Sequence, residues 1–181
     1  MKAVTLKGRI VMINKGCTFI ASSLSSFSFG FDFENSKCIC LLSCLKEFIK
    51  KRYDEGVRDF YSVCEQGVDL WAAEYVTRLI DRDKSVKLHC ILPYEEQAAK
   101  WHSDIRELYY NILEKADDTE YIGLHYSDDC LKKARLFAID RSSSVFSAAE
   151  SGFGKECKEY ALQNGKNVYD FFSEGCGEGE G

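Results

Sequence analysis

Between residues 16 and 172, short β-rich apolar runs alternate with longer stretches whose apolar positions recur at helical spacing. That alternation limits the fold more than any other feature of the chain. Cys17, Phe19 and Ile20 read as a strand. After a Ser- and Phe-rich connection, Leu41, Leu42, Leu45, Phe48 and Ile49 mark a helix ending near Gly56. Phe60 and Tyr61 belong to the next strand. Val68, Trp71, Ala72, Tyr75, Val76, Leu79 and Ile80 then follow the i, i+3, i+4, i+7 stripe of an amphipathic helix. Val86 to Leu92 is apolar almost throughout, as expected of a strand covered on both faces, and Pro93 is expected to close it. A helix carrying Ile105, Leu108, Tyr109, Ile112 and Leu113 follows. Beyond it come a strand at Tyr121 to Leu124, a helix at Leu131 to Asp140 and a short strand at Ser144 to Phe146. A helix from Gly154 to Asn164 and a strand from Asn167 to Phe172 complete the pattern.

Repeated β-α units need crossover connections, so the strands should be parallel. The expected fold is α/β: a Rossmann-like three-layer α/β/α arrangement with a mostly parallel sheet. A chain of 181 residues can bury roughly 70% of its unfolded surface in one core, which favours a single domain at 16–172. Residues 1–15 read as an N-terminal extension in which Arg9 to Ile13 is a candidate edge strand. The Gly- and Glu-rich tail, 173–181, has nothing to bury and is expected to be disordered.

Composition removes several classes. With 45% hydrophobic residues and one proline, the chain is neither intrinsically disordered nor proline-rich. Its longest greasy stretch, Cys38 to Leu45, is too short to span a bilayer, and Lys2, Lys7 and Arg9 precede no signal-peptide core. A cytoplasmic protein without membrane association is the expectation. Nine scattered cysteines, an odd number, suit buried reduced thiols better than a disulfide framework. A net charge of −5 argues against a broad nucleic-acid surface, whose free energy comes from clustered Lys and Arg releasing counterions.

In such a sheet, ligands bind beyond the carboxyl ends of the strands, where helix N-termini present amide groups and a positive dipole end to anions. The loops at that edge are Ile20 to Phe29, Ser62 to Asp69, Pro93 to Gln97, His125 to Asp129 and Ala148 to Lys155. The second is the most informative. Gly67-Val68-Asp69-Leu70-Trp71-Ala72-Ala73-Glu74 opens the strongest helix directly after a strand, with a glycine that permits close backbone approach and Asp69 in the first turn. A well-made helix start is the plainer explanation of the same residues.

Further segments join it: Cys17-Thr18-Phe19, Phe29-Gly30-Phe31-Asp32, Leu92-Pro93-Tyr94 with Gln97 and Trp101, and Ala116-Asp117 with Tyr126 and Cys130. Phe137, Ile139 and Asp140, then Tyr160-Ala161 with Gly165-Lys166, extend the set. Together these resemble the YpsA-like proteins of the SLOG superfamily, relatives of the DprA (SMF) and LOG families, whose G-V-D-x-W-A-A-E motif is similar to Gly67–Glu74. The resemblance runs from about Cys17 to Phe172. It implies a Rossmann-like fold binding nucleotides or nucleotide-derived ligands at the strand ends. Within the superfamily, LOG members hydrolyse nucleotide 5'-monophosphates and DprA members bind single-stranded DNA.

The ligand loops depart from that pattern. Relatives carry T-G-H-R-P where this chain has Ile20-Ala21-Ser22-Ser23-Leu24, and S-G with a small residue where it has Ser62-Val63-Cys64-Glu65-Gln66. The family's R-N pair becomes Ala134-Arg135, and its G-G-T segment becomes Gly152-Phe153-Gly154, with Cys157 where a threonine usually stands. Scaffold residues are kept while four ligand loops change, which points to an altered or lost pocket.

The leading expectation is therefore a protein that binds a small nucleotide-type ligand through an eroded pocket, with no clear catalytic machinery. Ser62, Gly67, Asp69, Gln97, Arg135, Gly152, Gly154 and Lys155 are the candidate ligand-binding residues. A non-catalytic scaffold whose pocket is filled by Val63, Phe153 and Leu24 is the first alternative. The second is a LOG-like nucleotide phosphoribohydrolase, for which Glu156 and Arg135 supply the carboxylate and the cation. His125, at a strand's carboxyl end, is a further acid/base candidate without an identified partner. No cofactor or metal is expected; Cys38 and Cys40 fall on different helix faces, and no histidine stands near them or Cys44. The superfamily resemblance implies a homodimer.

Overall fold

The computed structural model describes residues 3–6, 9–12 and 15–174. The described residues form eight strands: β1 (Ala3–Leu6), β2 (Arg9–Met12), β3 (Gly16–Ala21), β4 (Asp59–Ser62), β5 (Lys87–Tyr94), β6 (Asp118–Gly123), β7 (Ser142–Ala148) and β8 (Asn167–Asp170). The helices are α1 (Ser36–Asp54), α2 (Val68–Arg82), α3 (Ser103–Lys115), α4 (Cys130–Asp140), α5 (Gly152–Gln163) and the single turn α6 (Phe171–Glu174). Strands β3 to β8 make one six-stranded, all-parallel sheet in the order β6-β5-β4-β3-β7-β8. The chain winds outward from β3 to β6, returns across the sheet, and continues from β7 to β8. Neighbouring β3 and β7 therefore mark the point where the winding reverses.

Strand periodicity sorts the core onto two faces. Cys17 and Phe19 of β3 join Phe60, Leu88, Cys90, Leu92 and Phe146 in the larger cluster, against Leu41, Leu45, Phe48 and Ile49 of α1 and Val76 of α2. Ile20 points the other way and packs with Val145, Ile139, Cys157 and Ala161 beneath α4 and α5. Burial on both faces explains why β3 and β5 carry continuous apolar runs instead of alternating ones. Helix α1 starts at Asn35, whose side chain accepts the Lys37 N–H at 3.0 Å, a normal N-cap.

Three local expectations are corrected. Pro93 does not end β5, which continues to Tyr94, paired with Gly123. Strand β4 has stopped at Ser62, opposite Cys90, so β5 has only β6 beside it at Pro93 and a missing N–H is tolerated as on an edge strand. The final strand stops at Asp170, and Phe171 and Phe172 enter a helical turn in which Phe172 stacks at 6.2 Å on Phe27. The strand foreseen within Arg9 to Ile13 runs Arg9–Met12, but it pairs antiparallel with β1 in a separate two-stranded sheet. Of the tail, Ser173 and Glu174 belong to α6, and 175–181 lie outside the described residues. Among the described residues, Cys17, Cys38, Cys64, Cys90, Cys130 and Cys157 are buried free thiols, whereas Cys40 is disulfide-bonded, against the expectation of reduced thiols. No described helix is long and apolar enough to cross a membrane.

Candidate functional site

At the reversal point, β3 and β7 finish in step, with Ala21 opposite Ala148. The loops that leave them are tied together. Ser22 donates its N–H to the Ala148 carbonyl at 3.0 Å, and its Oγ accepts from the N–H groups of Glu150 (3.2 Å) and Ser151 (3.4 Å). Helix α5 starts immediately afterward, and its approach depends on glycine. A Cβ at Gly154 would lie 2.8 Å from the Ala21 carbonyl oxygen and 2.9 Å from the Ala149 Cβ, both immovable neighbours. Gly152 has φ +57° and open space beside it. The Ser151 side chain makes no capping bond, so the first turn of α5 presents N–H groups that have no intrahelical acceptor.

Those amides border a cavity of about 290 Å³, walled by Ser22, Leu24, Glu65, Arg135, Gly152 and Phe153 among others. Arg135 comes from α4, whose Ala134 and Ala138 pack onto β4 and β5 residues and fix the helix against the sheet. Its guanidinium is 95% buried, and Nη2 lies 3.4 Å from Oδ2 of Asp69 in the first turn of α2. This pair joins helices from opposite faces of the sheet. It is incomplete: Arg135 Nε and Asp69 Oδ1 are both buried without a hydrogen-bond partner. Burial pushes the Asp69 carboxyl up to about 6, against the opposing pull of the Arg135 charge, while Glu65 adds to the rise. A buried ion pair repays its desolvation only when the remaining donors and acceptors are satisfied, so this pair is incompletely compensated.

The remaining candidates separate into those at the cavity and those elsewhere. Gly152 and Gly154 line it with Arg135. Gly67 adjoins it at φ +98° but is covered: a Cβ there would lie 2.8 Å from Cγ and Cδ2 of Leu24, which is itself buried. Ser62 is buried and fully engaged, donating to the Asp69 carbonyl and accepting from the Cys64 N–H, each at 3.0 Å. Gln97 donates to the Val63 carbonyl at 3.2 Å and to Glu65 Oε2 at 3.4 Å; it braces the loop after β4 and is not part of the cavity wall. Lys155 is exposed and outside the wall.

Glu156 and Arg135 are not brought together. Glu156 is exposed and paired with Lys132. His125 is exposed after β6, at the far edge of the sheet from β7. Of the three side chains considered as pocket fillers, Leu24 alone packs over a helix start. Val63 is buried with Ile91, Ala134 and Ala138, and Phe153 stands half-exposed at the rim, 5.7 Å from Lys132 Nζ. The Ser22 clasp was not foreseeable, because a serine after a strand carries no signal of which amides it will reach.

The YpsA family model, described as the YspA SLOG family, matches residues 24–168. A UPF0398 protein of Halalkalibacterium halodurans is 35% identical over 83 residues, covering 41% of this chain and 44% of that relative. UPF0398 proteins of Bacillus thuringiensis (strain Al Hakam) and Bacillus cereus (strain AH187) are each 28% identical over 142 residues, covering 72% of this chain and 77% of the relative. The matched stretch thus spans less than half of the first relative and about three quarters of the other two.

Proposed function

The chain belongs to the YpsA family of SLOG proteins, and from that premise we propose that it binds a small nucleotide-type ligand where β3 and β7 end. The phosphate sits on the first turn of α5 and against Arg135. One observation carries this reading: a buried guanidinium with an unpartnered Nε forms part of the wall of an open cavity beside uncapped helix amides. Amides and a guanidinium converging on one space suit a phosphate, because both donate and neither can accept. Phe31 and Phe153 at the same cavity supply apolar surface for the uncharged part of the ligand.

The scaffold reading is favoured by Leu24 over Gly67, yet that filling is one-sided and leaves the α5 side open. Hydrolysis loses the carboxylate assigned to it, since Glu156 is engaged by Lys132 on the surface, and the carboxylate that does line the cavity, Glu65, accepts a hydrogen bond from Gln97. Binding without turnover is therefore the reading adopted. Titration calorimetry with mono-, di- and cyclic nucleotides, ADP-ribose and NAD tests it: at least one should bind, and Arg135→Met should weaken that binding tenfold or more. No binding by any of them would end the proposal.

A further inference from the structure

The two sides of the cavity differ in chemistry, and the difference bears on how many phosphates a ligand can carry. On the α5 side are uncapped amides, the small residues Gly152 and Gly154, and Arg135, whose buried Nε has no hydrogen-bond partner. On the α2 side are Leu24 and the carboxylate-bearing Glu65. Leu24 closes the approach to the α2 start, with no room for even a methyl group at Gly67. The loop takes up part of what that helix start offers, since the Leu70 N–H donates to the Glu65 carbonyl at 3.1 Å. A second phosphate directed toward α2 would face a leucine and a negative charge instead of free donors.

Resting on the nucleotide-type reading above, we propose that this site selects ligands with a single phosphate, of the nucleoside monophosphate class, and rejects diphosphates and dinucleotides. Leu24 limits the room and Glu65 opposes the added charge, so the two act on separate parts of the discrimination. Selectivity of this kind comes from an obstructive wall as much as from attractive contacts.

The experiment is titration of AMP, ADP and ADP-ribose against the full chain and its Leu24→Ala and Glu65→Gln variants. The wild-type protein should bind AMP at least fivefold more tightly than ADP or ADP-ribose, and at least one variant should shrink that ratio threefold or more. Glu65→Gln leaves packing intact, so the test survives if Leu24→Ala fails to fold. A wild-type preference under fivefold, or a ratio unchanged in every variant that folds, overturns the single-phosphate filter while leaving the binding site standing. Absence of binding by all three nucleotides removes the site and the filter together.

Discussion

Asp69 and any anion in the cavity compete for the positive charge of Arg135. Above a pH of about 6 the Asp69 carboxylate is ionised and draws on Arg135; below it the carboxyl is neutral and the Arg135 charge is no longer offset by it. Because burial raises the folded-state value above the ordinary one, ionising Asp69 destabilises the folded chain, and that penalty fades as pH falls from about 6 toward 4. Sulfate, which does not titrate in this range, should therefore bind several-fold more tightly at pH 5.5 than at 7.5, and Asp69→Asn should flatten the dependence. Calorimetry at the two pH values reads both effects. The glycines at the start of α5 separate just as cleanly. Gly154→Ala presses a methyl into backbone at 2.8 Å, an overpacking expected to cost about 1–3 kcal/mol and to weaken the proposed nucleotide binding by pushing α5 away. Gly152→Ala meets open space and should cost only the left-handed backbone penalty, about 1–2 kcal/mol. Denaturant unfolding ranks the pair, and binding should fall further for Gly154→Ala. Gly67 and Asp69 could be singled out in the sequence because glycine followed by an acid at a helix start has a local physical meaning. Nothing local said that Leu24, some forty residues away, would cover Gly67.

Among the elements, helices were read more accurately than strand ends. The apolar stripe of α2 runs from Val68 to Ile80, and the helix runs Val68–Arg82, because a period of 3.6 repeats often enough to define itself. Strand ends depend on where the neighbouring strand stops. Pro93 stays within β5 only because β4 ends early, and that register is a relation between segments. Caps are local once more: Asn35→Ala should remove the acceptor of the Lys37 N–H and cost about 1 kcal/mol, seen as a lower unfolding midpoint with an unchanged denaturant slope.

Across the whole molecule, the parallel sheet both holds the core together and creates the site. Phe146 in β7 packs at 5.5 Å from Phe48 of α1 and stacks at 5.6 Å on Tyr169 of β8, joining three elements. Phe146→Ala should cost about 3–5 kcal/mol in denaturant unfolding, since it would leave a gap between the sheet and α1. Periodicity and crossover geometry alone determined the layers, the parallel sheet and the strand edge at which the candidate site was to be sought, because each follows from repeats a few residues long. The resemblance identified the loops that depart from their family, and Arg135 among the candidates. Only the tertiary structure decided which side of the altered pocket stays open: Leu24 seals α2, while Ser22, Gly154 and Arg135 leave α5 accessible. It also removed Glu156, Gln97, Ser62 and Lys155 from the cavity wall. Those outcomes rest on contacts between residues distant in the chain, and no pattern within a segment records them.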